Sequence, residues 1–501
     1  MRSVSPFSST SPDDYEATSH FILRPKFLSD FHPALFAPIE KTIGNLFIHK
    51  HQNHLGSRAR ILLSQYFKAM DRVAAEAAGR PRCSQIIKLA EGGFNKIFLL
   101  TMDDETEVIA RIPTPIAGPR HYTTASEAAT MQCLRDSLHI PVPRILAYAS
   151  TTDNPVGAEY IIMERLHGES LGSRWLSFST AQTADLMTQI AKIEGKIFKF
   201  KFPAYGSLYH RRDIPAESRV DFPSEGGDFC VGPICKRQFW HGERADMQLD
   251  RGPFPSRSEL STPILRHPDL SYTNLLLTPG TNKIEAIIDW QDAAILPLFM
   301  QAGYPAFCEH DLSQVQSLEP PKRLDNYDAM SEVDKLKVDM RFRLEEANLY
   351  YYAATGVENA LHMQALRQPG LGMIQYLISQ AGYPWDADLI NLKAGLVGLA
   401  KIWSEIIPHP CPVSFPPADK KAILHDASEW RECAEILSNI QNSLGVDREG
   451  GTHPDDFEHA CEMARQLRVQ IYSNAEEKER KLFWKSWIFK DDGDATPPPV
   501  L

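Results

Sequence analysis

Leu265-Arg-His-Pro-Asp-Leu-Ser-Tyr-Thr-Asn-Leu-Leu-Leu277, followed shortly by Ile284-Glu-Ala-Ile-Ile-Asp-Trp290, is the stretch that decides how this chain reads. It sets His267, Asp269 and Asn274 around one loop, then two apolar strands, then Asp289 at a strand end. Phosphoryl transfer from a magnesium-bound nucleotide asks for this set. One carboxylate orients and accepts the proton of an attacking hydroxyl, while an amide and a second carboxylate hold Mg²⁺ against the phosphates. A single Asp or Asn in a turn is ordinarily a capping or Asx-turn residue. The joint spacing H-x-D-L-x-x-x-N with I-I-D-W is what carries the chemical reading. His267 is expected to support the loop by hydrogen bonding.

Upstream, the hydrophobic period changes. Residues 60–78 have helical spacing, stopped by Gly79-Arg-Pro81. Residues 84–90, 96–102 and 107–112 then read as three strands joined by the tight turns Glu91-Gly-Gly-Phe-Asn95 and Asp103-Asp-Glu105, an antiparallel meander. A helix is expected over 124–138, and Ile140-Pro-Val-Pro143 breaks the chain before an apolar strand at 159–164. Gly92 and Gly93 permit close backbone approach to a phosphate. Arg111, at the end of the third strand, can reach phosphate oxygens, and Glu127 on the following helix can pair with it. The expected architecture is α+β: a small antiparallel lobe over 83–166 and a larger, mainly helical lobe over 167–445. Before them lies an N-terminal extension, 1–82, and after them a helical extension and tail, 446–501. The Pro-, Gly- and charge-rich connections between 203 and 262 read as a functional insertion or disorder. Residues 475–484 read as a surface-docked helix.

The order of Gly hairpin, basic strand residue, helix Glu, hinge-like strand, His-Pro-Asp-Leu-Ser-Tyr-Thr-Asn and Ile-Ile-Asp-Trp resembles the aminoglycoside phosphotransferase family of the protein-kinase-like superfamily. Glu91–Phe98, Ala110-Arg-Ile-Pro113, Pro155–Glu164 and Ile287-Ile-Asp-Trp-Gln-Asp292 are similar to its fungal branch, which includes the altered inheritance of mitochondria protein 9 group. The resemblance implies a two-lobe, protein-kinase-like fold using ATP and Mg²⁺. By that resemblance Asp269 is the catalytic base, Asn274 and Asp289 are the metal ligands, and His267 is the loop support. Gly92, Gly93 and Asn95 match the nucleotide-phosphate turn, Arg111 and Glu127 the small-lobe charge pair, and Met163-Glu-Arg-Leu166, with Glu164 and Leu166, the adenine hinge. The family's strand lysine is here Arg111, which keeps the charge but presents a planar fork instead of a compact ammonium.

Composition bounds the partners. The 501 residues carry 53 Lys+Arg against 64 Asp+Glu, a net charge of −11, which argues against a nucleic-acid partner held by bulk electrostatics. No segment approaches the roughly 20 apolar residues of a membrane-spanning helix; the best, Ala394–Ala400, is stopped by Lys401. The eight cysteines are scattered, which fits reduced thiols. The Ser-rich Met1–Pro12 segment lacks the apolar core of a secretory signal but has the Arg/Ser character of a mitochondrial presequence, cut short by Asp13, Asp14 and Glu16. Mitochondrial residence is what the resemblance to the altered inheritance of mitochondria protein 9 group implies, with this start adding only weak support and the cytoplasm as the other expectation. Two function classes stay open. One is a phosphotransferase acting on the hydroxyl of a small molecule. The other is a kinase-fold, nucleotide-binding interaction protein without turnover, whose terminal extensions would meet a protein partner.

Overall fold

Alternating apolar residues and tight turns build the first layer. In the computed structural model, strands β1 (Cys83–Glu91), β2 (Asn95–Met102) and β3 (Glu107–Pro113) form the expected meander. The structure describes residues 49–50, 69–91, 94–114, 116–223, 227–240, 242–255, 261–309, 319–322, 326–381, 389–446, 451–452, 456–474 and single positions to 489. Gly92 and Gly93 lie outside the described residues, as do most of 475–484 and the start of the helix read over 60–78, whose described part spans 69–78.

Two further strands, β4 (Ile145–Ala149) and β5 (Tyr160–Glu164), complete an all-antiparallel sheet of order β1-β2-β3-β5-β4. Strand β4 was not legible in the sequence, because the prolines before it read as a break. Leu100, Met102, Val108, Ala110 and Ile162 close one face of the sheet against Met70, Ala74 and Ala75 of the 69–78 helix. Helix α1 (Tyr122–Asp136) begins two residues earlier than its apolar spacing suggests. It buries Ala128, Ala129, Met131 and Leu134 in the main core.

The large lobe is organised around helices α2 (Thr180–Lys199) and α3 (Glu332–Glu358). Ser179 starts α2 with a reciprocal capping box to Gln182. The two helices approach so closely that a β-carbon on Gly195 would lie 2.6 Å from the Glu358 carbonyl oxygen. Between them a buried Arg266–Glu194 ion pair (2.7 Å) is closed by the Tyr351 hydroxyl, which donates to Glu194. Arg266 also donates to the carbonyls of Gln301 and Gly303, so its charge and its donors are both satisfied.

In its described parts the 203–262 region carries short strands and single 3-10 turns joined by irregular backbone. Strands β6 (Ser207–His210) and β7 (Phe229–Gly232) pair antiparallel, and Val220–Asp221 extends them to three strands. This small sheet lies against α1: Tyr122 packs on Tyr209 and stacks on Trp240, and His210 hydrogen-bonds Gln132 at 2.5 Å. The β-rich island follows as β8 (Pro263–Arg266), β9 (Leu275–Leu277), β10 (Ile284–Ile287) and β11 (Ala294–Pro297). Strand β8 pairs with β11 and β9 with β10.

All of this lies in one compact unit, residues 59–371. A second unit combines residues 372–501 with the first 58. Its described core is made by Leu437, Ile440 and Leu444 of helix α4 (Pro417–Leu444), Leu467 and Ile471 of helix α5 (Phe457–Asn474), and Trp487 and Phe489.

Candidate active site

The loop after β8 is shaped by one histidine. His267 is buried, its Nε2 donates to the Ile288 carbonyl at 2.9 Å, and its Nδ1 accepts from the Asp269 backbone N–H at 3.1 Å. A single neutral ring thus ties the loop of Asp269 to the strand end that carries Asp289. Burial pushes its pKa down to about 4, against the opposing pull of the Ile288 carbonyl and Asp289, which is consistent with that neutral tautomer. Trp290, itself buried, packs edge-on at 4.6 Å between ring centroids and seals the ring from water.

Asn274 adds the second tie. Its Nδ2 donates to the Asp269 carbonyl (2.9 Å), and its own carbonyl accepts from the Ile288 N–H (3.0 Å). The side-chain amide therefore keeps its Oδ1 as an oxygen donor. Asp269 and Asp289 are the exposed carboxylates of these two pinned loops. Asp289 adopts φ 63°, in the left-handed region that Asp tolerates better than most side chains, and Asp292 repeats it at φ 61°. The two positive-φ residues bend the chain sharply after β10 and turn the Asp289 carboxylate outward.

Arg111 closes the site from the small lobe. It is buried, pairs with the equally buried Glu127 on α1, donates to the Gln291 side chain, and lies 3.5 Å from Asp289. Burial lowers its pKa while Asp289 and Asp292 hold the charge in place. The pairing inferred from residue order alone is thus present in the fold. Gln291 is the residue that sequence reasoning missed. Its Oε1 accepts from both Arg111 and Asn95 (2.7 Å to Asn95), and its Nε2 donates to the Ala117 carbonyl (2.7 Å). Its place directly after Ile-Ile-Asp-Trp was the available signal. Asp292 was missed as well; burial pushes its carboxyl up to about 6, against Lys236 and Arg111, which pull it down.

The hinge residues stand apart from this cluster. Glu164 ends β5 with its carboxylate accepting from Arg135 (2.9 Å) and from the Arg144 backbone N–H (2.7 Å), so its side chain fastens α1 and the following connection to the sheet. Leu166 follows, half-buried, where the chain leaves the sheet. The residues present fit a magnesium-bound nucleotide in the nature of their donors: the Asn274 amide oxygen and the half-exposed Asp289 carboxylate are hard oxygens.

A family model described as the phosphotransferase enzyme family matches residues 85–301, the span of sheet, α1 and catalytic island. Through residues 85–301 the chain carries a domain of this phosphotransferase family, and the fold that builds it is α+β. The chain is 46% identical over 505 aligned residues to the subtelomeric hrmA-associated cluster protein of Aspergillus fumigatus, in strains CEA10 and Af293, the match spanning 83% of this chain and 99% of that protein. The Meyerozyma guilliermondii protein named altered inheritance of mitochondria protein 9, mitochondrial, is 21% identical over 64% of this chain and 66% of its own length. Among solved structures, the GDP complex of wild-type aminoglycoside 2'-phosphotransferase-IIIa aligns over 68% of this chain and 98% of that one at 14% identity, with a TM-score of 0.30.

Two outcomes follow from these contacts. An unfolded histidine takes up its proton near pH 6.5, whereas folded His267 resists until about 4. The stability this neutral ring confers is complete above about pH 6.5 and is lost as pH falls toward 4, by about 3 kcal/mol in all. Asp292 acts in the opposite sense, since its raised pKa lets the folded state protonate first. Urea titrations at stepped pH should therefore show the His267→Asn variant lacking the acid-side loss relative to the native chain; parallel curves would contradict the assignment. For the Arg111–Glu127 pair, Arg111→Met or Glu127→Leu alone should each cost about 3–5 kcal/mol, because each strands a buried charge. The double variant should cost clearly less than the sum, and additivity in the cycle would show that the two groups are not coupled.

Proposed function

We propose that the chain is an ATP- and Mg²⁺-dependent phosphotransferase that acts on a hydroxyl group of a small molecule. The observation that carries the reading is the pinning of two exposed carboxylates, Asp269 and Asp289, on loops held together by His267 and Asn274. Bound Mg²⁺ would supply charge neutralisation at the transferring phosphoryl group. The chain's own part is then divided. Asp269 accepts the proton of the incoming hydroxyl, Asn274 Oδ1 and the Asp289 carboxylate hold the metal, and Arg111 keeps the Asp289 loop against the small lobe. Gly92, Gly93 and Asn95 form the turn over the phosphates, and the backbone of 163–166, with Glu164 and Leu166, meets the base. The use of ATP is a trait of the family, and relatives in it take small-molecule substrates.

A second reading, nucleotide binding without turnover, draws on Arg111, whose guanidinium is committed to Glu127, Gln291 and Asp289. One measurement separates the two. With a panel of hydroxylated small molecules and labelled ATP, the native chain should transfer label. Asp269→Asn should lower that rate by roughly 10²–10⁴ while still melting higher with Mg·ATP. Binding without transfer in the native chain selects the second reading, and near-native transfer by Asp269→Asn removes the mechanism.

Mitochondrial residence is part of the proposal, supported by the names of the altered inheritance of mitochondria protein 9 relatives. Among the described residues no helix is long and apolar enough to cross a membrane. A C-terminally tagged chain should colocalise with mitochondria, and removal of residues 1–12 should weaken that. A cytosolic pattern for both would end the assignment.

A further inference from the structure

Helix α1 lacks the side chains that ordinarily start a helix. His121 stands at its N-cap and makes no side-chain bond to the first turn, and that turn carries no acidic residue. The positive end of the helix and the N-cap backbone N–H therefore call for an anion from elsewhere. Glu159, the residue just before β5, supplies it. Its Oε1 accepts from the His121 backbone N–H (3.0 Å) and its Oε2 from the Thr124 hydroxyl (2.7 Å). In a capping box the third helical residue reaches back to the N-cap N–H. Here that residue is Thr124, which is too short to do so, and a carboxylate 35 residues downstream bridges the two positions.

The same carboxylate shares a face of the sheet with Arg111. In the register of the sheet Arg111 of β3 stands opposite Ile161 of β5. Ile161 packs in one core with Ala128 and Ala129 of α1. Glu159 precedes Ile161 by two, the spacing that puts side chains on one side of an extended chain. On the helix, Thr124 and Glu127 are three residues apart and lie on one face. Helix α1 is therefore fastened to one strand pair at two points about one turn apart, Thr124 to Glu159 and Glu127 to Arg111. Its N-cap is also held from the side. His121, at φ 69°, donates from Nε2 to the Asp213 carbonyl of the insertion (2.8 Å), and its Nδ1 meets the Ser150 hydroxyl (2.9 Å). A rotation or slide of α1 that broke the Glu159 bridge would draw Glu127 off Arg111, which lies 3.5 Å from Asp289.

Resting on the phosphotransferase reading, we propose that Glu159 is a positioning residue for the metal-bound nucleotide. It fixes the register of α1, so that Glu127 holds Arg111 at the place from which Arg111 steadies the Asp289 loop. Its influence runs through Arg111 and Asp289 alone. What it controls is therefore the part of ATP affinity that Mg²⁺ brings, and the binding of metal-free ATP is left untouched.

Calorimetric titration of the full chain with ATP, in the presence and absence of Mg²⁺, tests this. Two mild variants weaken the bridge: Glu159→Gln removes one of its two acceptors, and Thr124→Val removes the buried hydroxyl while keeping its shape. Each should cut the gain in ATP affinity due to Mg²⁺ by about threefold or more, with affinity for metal-free ATP within about twofold of native. Thr124→Ser, which keeps the hydroxyl, should restore the gain. An undiminished gain in both variants overturns the role and leaves the phosphotransferase reading standing. Equal loss with and without Mg²⁺, or no rescue by Thr124→Ser, also overturns it, since Glu159 would then be a helix cap and nothing more. A native chain that binds no ATP, or gains nothing from Mg²⁺, removes the phosphotransferase reading and this role with it.

Discussion

Arg111 is the charge that the small lobe has to satisfy. A guanidinium at the end of an interior strand stays protonated at any ordinary pH, so burying it demands an anion and partners for its donors. Glu127 supplies the anion, and this fixes helix α1 against the sheet. Gln291 supplies an acceptor, and this brings the residues after β10 up to Asn95. Asp289 takes the remaining face. One buried cation thereby sets the relation among the sheet, the helix and the Asp289 loop, three elements far apart in the chain. An uncharged residue at 111 would leave each of them without its reason to meet the others.

Within the large lobe the same logic uses a neutral group. Burial keeps His267 neutral around neutral pH, and that is what lets it donate at one nitrogen and accept at the other. A protonated ring would donate from both, and the Asp269 N–H would lose its acceptor. The Asp269 loop therefore keeps its shape through an uncharged bridge, while the Arg266–Glu194–Tyr351 network beside it handles a full charge by pairing. The two solutions lie next to each other in the chain, at positions 266 and 267. Each suits its place, because Arg266 has a carboxylate within reach and His267 has backbone groups.

The insertion changes what α1 means in this protein. A helix that carries the partner of a buried arginine must be held in register, and here the β6–β7 sheet packs along it through Tyr209, His210 and Trp240. The Tyr148 hydroxyl, bonded to Asp213 at 2.7 Å, adds a link from the small-lobe sheet to the insertion. The helix is consequently braced from the sheet and from the insertion, and the small lobe and the insertion behave as one framework around the cleft.

The meander, the α1 helix and the catalytic island were legible because each is a local pattern: period-two apolar residues with tight turns, a helical stripe, and polar residues at short spacing in one loop. That the loops of Asp269 and Asp289 lie side by side, tied by His267 and Asn274, was foreshadowed by residues 265–290 read in order. The pairing of Arg111 with Glu127 could be inferred from that order too, since strand end and helix face are adjacent in such a lobe. What sequence could not express was anything set by long-range approach. Strand β4 hides behind prolines and exists because β5 offers it an edge. Gln291 and Asp292 look like ordinary turn residues until Asn95 and Arg111 arrive from almost two hundred residues away. Local periodicity encodes elements, whereas the neutralisation of buried charge, which depends on distance in space, decides which of them meet.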